Sequence, residues 1–167
     1  MSRYRPPSPR SSPYITREGF EKLQQELKDI WTRRADVTMH LKAAAAEGDR
    51  SENAEYIYRK KELRELDRRI RYLQKRLPDL TIVERRADDE HVYFGAWVEL
   101  ETDAGEIKRV RIVGADEIDT SLGFISIDSP VARALLKKLV DDDISVDVAG
   151  ETINYSVLSV SYAEPSL

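Results

Sequence analysis

The sequence predicts an α+β chain in which a long helical hairpin precedes a β-rich globular domain. Three observations predict it. Two apolar runs keep a 3-4 heptad spacing, Pro78 ends the second of them, and the stretches that follow are short, β-branched and bounded by turn residues.

The first run starts after Thr16, with Glu18 in the opening turn, and carries Phe20, Leu23, Leu27, Ile30, Val37, Leu41 and Ala44. Arg34 is its one polar interruption. The second carries Tyr56, Leu63, Leu66, Ile70, Leu73 and Leu77, interrupted at Arg59. Heptad runs of this length joined by a short segment predict an antiparallel coiled coil. The joint is Glu47-Gly48-Asp49-Arg50-Ser51. Gly48 suits the left-handed residue that closes a helix, and Asp49 or Ser51 suits the cap of the next. At ~1.5 Å per residue the arms reach ~40 Å, which suits a device that reaches something better than a globular core.

Beyond Pro78, strands are expected at Ile82-Val83, Val92 to Glu101, Ile107 to Val113, Phe124 to Ile127, Ile144 to Val148 and Ile153 to Tyr162. Asp103-Ala104-Gly105 and Ala149-Gly150-Glu151 read as hairpin turns. Ser129 as N-cap and Pro130 at the first helical position start a short helix between strands. The expected organisation is a disordered Pro/Ser/Arg-rich tail over 1–13, the hairpin over 14–78 and an antiparallel sheet with one short helix over 79–167.

Composition narrows the function. The chain has 167 residues and no cysteine, and its two histidines, His40 and His91, lie far apart, so neither a disulfide framework nor a His/Cys zinc site is expected. No apolar run has the roughly 20 residues that span a bilayer, and no secretory signal opens the chain; a cytoplasmic protein is expected. Residues 1–77 carry 19 Lys+Arg against 12 Asp+Glu, and residues 78–167 carry 8 against 19. Opposite charge suggests different tasks for the two halves.

Chemistry concentrates at the joint and on the second arm. Asp49 and Glu52, at i and i+3, are placed to share a divalent ion, and magnesium is commonly held by one or two protein carboxylates plus other groups. The same spacing is a capping box, with Asp49 as N-cap and Glu52 at the third helical position. Spacing leaves both readings open. The second arm carries Arg59, Lys60, Lys61, Arg64, Arg68, Arg69, Arg71, Lys75 and Arg76, broken only by Glu62, Glu65 and Asp67. That excess favours phosphates or acidic protein walls. Tyr56 and Tyr58 beside the joint are placed to touch a base, although Tyr56, on the seam, is expected to pack against the first arm.

Two stretches carry a family resemblance. Gly48-Asp49-Arg50-Ser51-Glu52-Asn53-Ala54-Glu55-Tyr56 resembles the tip signature of the Gre transcript-cleavage factors. Ile125-Ser126-Ile127-Asp128-Ser129-Pro130-Val131-Ala132-Arg133-Ala134-Leu135-Leu136 resembles their C-terminal signature. Likeness runs from about Tyr14 to Tyr162. The Arg-Ser pair in the tip, the basic stretch Lys60 to Arg76 and Phe94-Gly95-Ala96-Trp97-Val98-Glu99 resemble the GreB branch.

The resemblance implies an FKBP-like C-terminal domain that docks at the rim of the secondary channel of bacterial RNA polymerase. It implies that the hairpin enters that channel and helps the polymerase cut the 3′ end of nascent RNA in backtracked complexes. Asp49 and Glu52 match the acidic tip pair and would share Mg2+ with the polymerase rather than bind it alone; Ser51 and Asn53 would support them. Arg59, Lys60, Lys61, Arg64, Arg68 and Arg69 are the residues expected to meet extruded RNA. The chain is then no enzyme by itself, and a monomer is expected because each seam is satisfied within its own hairpin. The alternatives are a Gre-like factor that blocks the channel without promoting cleavage, a prolyl isomerase and a free-standing RNA-binding coiled coil.

Overall fold

Alternation of the apolar and polar side chains sets two independent cores. The computed structural model describes residues 8–46, 53–84 and 89–162. It divides into two units, one spanning residues 18–80 and the other joining residues 81 onward to the segment that ends at residue 17.

The first unit holds most of helix α1 (Arg17–Ala46), helix α2 (Ala54–Arg76) and a single 3-10 turn (Leu77–Asp79). Every seam position expected from the heptads is buried or half-buried, with Val37 and Leu73 fully enclosed and Leu23, Ala44 and Ile70 nearly so. Side-chain pairs across the seam fix the direction. Glu26 meets Arg69, Arg33 meets Glu62, and the Ala44 carbonyl meets Asn53, so partners fall along one helix as they rise along the other. The helices are antiparallel. Arg34, the expected break in the seam, stays half-buried and donates through Nε to Asp67 at 2.6 Å. Pro78, which lacks an N–H to continue the ladder, follows the last residue of α2 within two positions.

The second unit contains strands β1 (Tyr14–Ile15), β2 (Thr81–Ile82), β3 (Trp97–Thr102), β4 (Ile107–Val113), β5 (Phe124–Ser126), β6 (Asp143–Val148) and β7 (Glu151–Ser161), with helix α3 (Pro130–Leu135) between β5 and β6. Five strands form a sheet in the order β5-β4-β3-β7-β6. The sheet is antiparallel except for β4 and β5, which run parallel. Val98 and Leu100 of β3, Ile112 of β4, Ile144 and Val146 of β6 and Tyr155 and Val157 of β7 form one core with Ala132 and Leu135 of α3. Burying such aliphatic side chains stabilises by about 1.5–3 kcal/mol each.

Four expectations change. First, the chain from Val92 to Ala96 is not strand. Val92 exchanges hydrogen bonds with Lys137 and Lys138, and Tyr93 to Ala96 turn through Gly95 at φ 87°. Second, the short helix expected over Asp128 to Lys138 ends at Leu135, because Leu136 leaves the helical region at ψ 132° and Lys137 follows at φ 68°. Third, β1 and β2 form an unexpected parallel pair. Fourth, the tail expected over 1–13 is anchored before its end. Ser12 donates its N–H to Asp128 at 2.8 Å, and the Pro13 carbonyl accepts from Thr81 at 2.7 Å. The expected tail over residues 1–7 lies outside the described residues.

The N-terminal segment is held by carboxylates of its own unit. Glu117 accepts from the Thr16 N–H at 3.1 Å, the Thr16 hydroxyl and the Gly114 N–H at 2.8 Å; Glu84 pairs with Arg17. Gly114 is required here for space: a Cβ on it would come within 2.1 Å of the Tyr14 carbonyl oxygen.

Candidate functional site

The acidic joint is bounded on both sides by described residues. α1 runs to Ala46, and Asn53 is the N-cap of α2, with extended backbone at φ −81° and ψ 103°. Its Oδ1 accepts from the Tyr56 N–H at 3.1 Å, and its Nδ2 donates to the Ala44 carbonyl at 3.1 Å. One side chain therefore satisfies an orphan donor of α2 and an orphan acceptor of α1. This corrects the capping expectations: the cap is Asn53 rather than Asp49 or Ser51, and the third helical position is Tyr56 rather than Glu52. Asp49, Ser51 and Glu52 themselves lie outside the described residues, as do Glu47, Gly48 and Arg50.

The six basic residues expected to meet RNA fall into two groups. Arg59 and Arg69 are half-buried and paired with carboxylates. Arg59 reaches Glu62 at 3.3 Å and Glu55 at 3.8 Å, while Arg69 grips Glu26 with two hydrogen bonds of 2.7 and 3.0 Å. Lys60, Lys61, Arg64 and Arg68 are exposed. Lys60 lies over the Tyr56 ring at 5.8 Å.

Helical spacing arranges the exposed cations further. Lys61, Arg64, Arg68, Arg71 and Lys75 recur at alternating intervals of three and four and are all exposed, so they form one stripe along α2. That stripe lies opposite the seam. The flanks of the seam are electrostatically closed instead, by Glu26 with Arg69, Arg33 with Glu62 and Arg34 with Asp67. The hydrogen bond and charge of Glu62 raise the Arg33 guanidinium above its ordinary pKa. The number of cations along α2 does not separate these groups, although position within the heptad carries that information.

Aromatic side chains border the stripe. Tyr58 is 63% exposed and Tyr72 is 42% exposed. Arg69 lies over the Tyr72 ring at 5.3 Å. A shallow depression of about 400 Å³ has Ile30 and Leu66 among its lining, with Tyr58, Lys61, Glu62, Glu65 and Arg69. Among the described residues no cluster of three or more His, Asp or Glu side chains is placed to hold a metal ion, and no helix is long and apolar enough to cross a membrane.

Comparison with known proteins agrees in both units. Residues 13–82 match the family model described as transcription elongation factor, N-terminal, and residues 87–162 match that described as transcription elongation factor, GreA/GreB, C-term. The transcription elongation factor GreB of Xanthomonas axonopodis pv. citri (strain 306) is 55% identical over 166 residues, covering 98% of this chain and 99% of its own. That of Pseudomonas aeruginosa (strain PAO1) is 54% identical over 165 residues, covering 97% and 98%. Among solved structures, the GreA factor homolog 1 (Gfh1) protein of Thermus thermophilus is 27% identical, with a TM-score of 0.41, over 88% of this chain and 97% of that one. With both family models matched in order and near-complete coverage by GreB proteins, the chain belongs to the GreA/GreB family of transcription elongation factors.

Proposed function

We propose that this elongation factor binds RNA polymerase through the secondary channel and stimulates the polymerase's own endonucleolytic cleavage of the nascent RNA 3′ end in backtracked, arrested complexes. The observation that carries the reading is the Asn53 cap. It gives α2 its start without Asp49, Ser51 or Glu52, so the two acids are not needed for the structural duty their spacing suggested. Family membership supplies the setting, and a 30-residue α1 supplies a reach of ~45 Å.

In the proposed mechanism the chain contributes position and charge. Asp49 and Glu52 offer hard oxygen ligands, which suit Mg2+, but two carboxylates leave most of its coordination to the polymerase, the transcript and water. When shared with the polymerase, that ion would supply activation of the attacking water or stabilisation of the leaving oxygen. Asn53 holds the ends of both helices together at the base of the acidic segment and so limits where the acids can go. Ser51 is proposed to support the pair. Lys60, Lys61, Arg64 and Arg68 attract the phosphates of extruded RNA; Arg69 serves chiefly to hold the hairpin through Glu26, and Arg59 is paired along α2 with Glu55 and Glu62. The chain is proposed to act as a monomer and to need no stably bound cofactor.

The test is cleavage of end-labelled RNA in a halted elongation complex. Asp49→Ala and Glu52→Ala are expected to retain polymerase binding while losing most stimulated cleavage. Parental cleavage by both variants would remove the acids from the mechanism. Parental binding with no cleavage by the wild-type chain would favour a channel-blocking factor instead.

A further inference from the structure

The sheet carries a second cationic surface, set in an acidic surround and unused by the proposed cleavage chemistry. Strand register places Trp97 opposite Arg111, Glu99 opposite Arg109, and Phe124 beside Arg111. These residues share the face turned away from Val98, Leu100 and Ile112, which are buried in the core. The Arg109 guanidinium lies 4.6 Å and that of Arg111 5.9 Å from the Trp97 ring centroid. Phe124 meets the indole edge-on at 5.7 Å. Arg111 is further fixed by donating Nε to the Gly95 carbonyl at 3.2 Å.

Arg109 is exposed and has Glu99 directly across the strands, yet no ion pair joins it to a carboxylate among the described residues. Its charge is instead held over the indole, where a cation–π contact orients it without neutralising it. Arg109 and Arg111 lie two residues apart on β4, so their α-carbons repeat at ~6.6–6.8 Å along the strand. That is also the α-carbon repeat of two acidic residues at alternate positions of an extended peptide.

We propose that this face docks a short acidic and apolar stretch of a protein partner. Its carboxylates are taken by Arg109 and Arg111, and its apolar side chains lie against Trp97 and Phe124. Protein is favoured over nucleic acid by the surrounding charge. Residues 78–167 carry 19 Asp+Glu against 8 Lys+Arg. Glu99 stands directly across from Arg109 on the same face, so a continuous polyanion running on from the two arginines would meet it, whereas a short segment can end on the arginines. The proposal does not depend on the cleavage reading.

Trp31 and Trp97 are the two tryptophans, so Trp31→Phe leaves one indole N–H signal in a 15N–1H spectrum of the full chain. The probes are a short peptide of alternating glutamate and leucine, its glutamine counterpart and a single-stranded RNA of matched length. The glutamate peptide is expected to shift the Trp97 signal saturably, and the glutamine peptide to leave it unmoved. Arg109→Gln, which keeps the Arg111–Gly95 hydrogen bond, should weaken binding at least about tenfold, as loss of a charge-assisted hydrogen bond does. An unmoved signal, an affinity unchanged by Arg109→Gln, or a shift with RNA but none with the glutamate peptide would each overturn the proposal.

Discussion

Replacing Asn53 tests how one side chain ties the two helices together. Asn53→Ala removes the bond to the Tyr56 N–H and the bond to the Ala44 carbonyl, both 3.1 Å. Loss of an N-cap costs about 1 kcal/mol, and loss of a half-buried neutral hydrogen bond costs about another 1. The sum is about 2 kcal/mol, if the two losses add. Asn53→Ser separates them: a serine caps well but is too short to reach across to α1, so about half the cost should return. Urea denaturation followed by helical circular dichroism reads both variants, with the slope checked for constancy. A serine variant as stable as the parent would show that the cross-helix bond contributes nothing. An alanine variant within about 0.3 kcal/mol of the parent would refute the cap as well.

The sheet unit offers two further checks. Gly114→Ala places a methyl 2.1 Å from the Tyr14 carbonyl, a backbone atom that cannot rotate away, and should cost about 1–3 kcal/mol with faster amide exchange at Ile15 and Thr81. Ser129→Ala removes the acceptor that caps α3 through the Ala132 N–H at 3.2 Å; about 1 kcal/mol is expected, seen as a melting temperature lowered by roughly 4–8 °C.

The seam was legible because burial on a helix repeats every three or four residues, and that period is written locally from Phe20 to Leu77. The strands that pair with sequence neighbours through hairpin turns, β3 with β4 and β6 with β7, were legible for the same reason. The pair β1–β2 was not. It joins Tyr14-Ile15 to Thr81-Ile82 across the whole hairpin, and two-residue strands carry no period. Val92 misled because a buried β-branched residue looks alike whether it pairs in a sheet or, as here, with Lys137 and Lys138. The cap of α2 misled for a tertiary reason. Asp49 and Ser51 satisfy capping rules locally, whereas Asn53 reaches the Ala44 carbonyl as well.

The basic stripe bears on why α2 has this composition at all. Arg64 with Arg68 and Arg71 with Lys75 are like charges at i and i+4, each pair destabilising an exposed helix by about 0.2–0.5 kcal/mol. Two acids close by in sequence are committed elsewhere: Glu62 to Arg33, and Asp67 to Arg34. A helix selected only as a scaffold would alternate signs on this face. Arg68→Glu should therefore stabilise the hairpin, since the new carboxylate sits four residues after Arg64 and three before Arg71. Two such favourable pairs replace the repulsion, and the new repulsion from exposed Glu65, three residues earlier, offsets part of it, leaving a gain of about 0.5 kcal/mol. On the proposed function, the same variant should stimulate cleavage of deeply backtracked transcripts less well than of shallow ones, and its dependence on salt should weaken by ~0.7 in log–log slope for each RNA phosphate that the helix no longer neutralises. If Arg68→Glu left stability unchanged, the stripe would be electrostatically neutral to the fold and its composition would need no ligand to explain it. A more stable variant that stimulated cleavage in all complexes at the parental rate would show that the charge is unfavourable to the helix and serves something other than RNA.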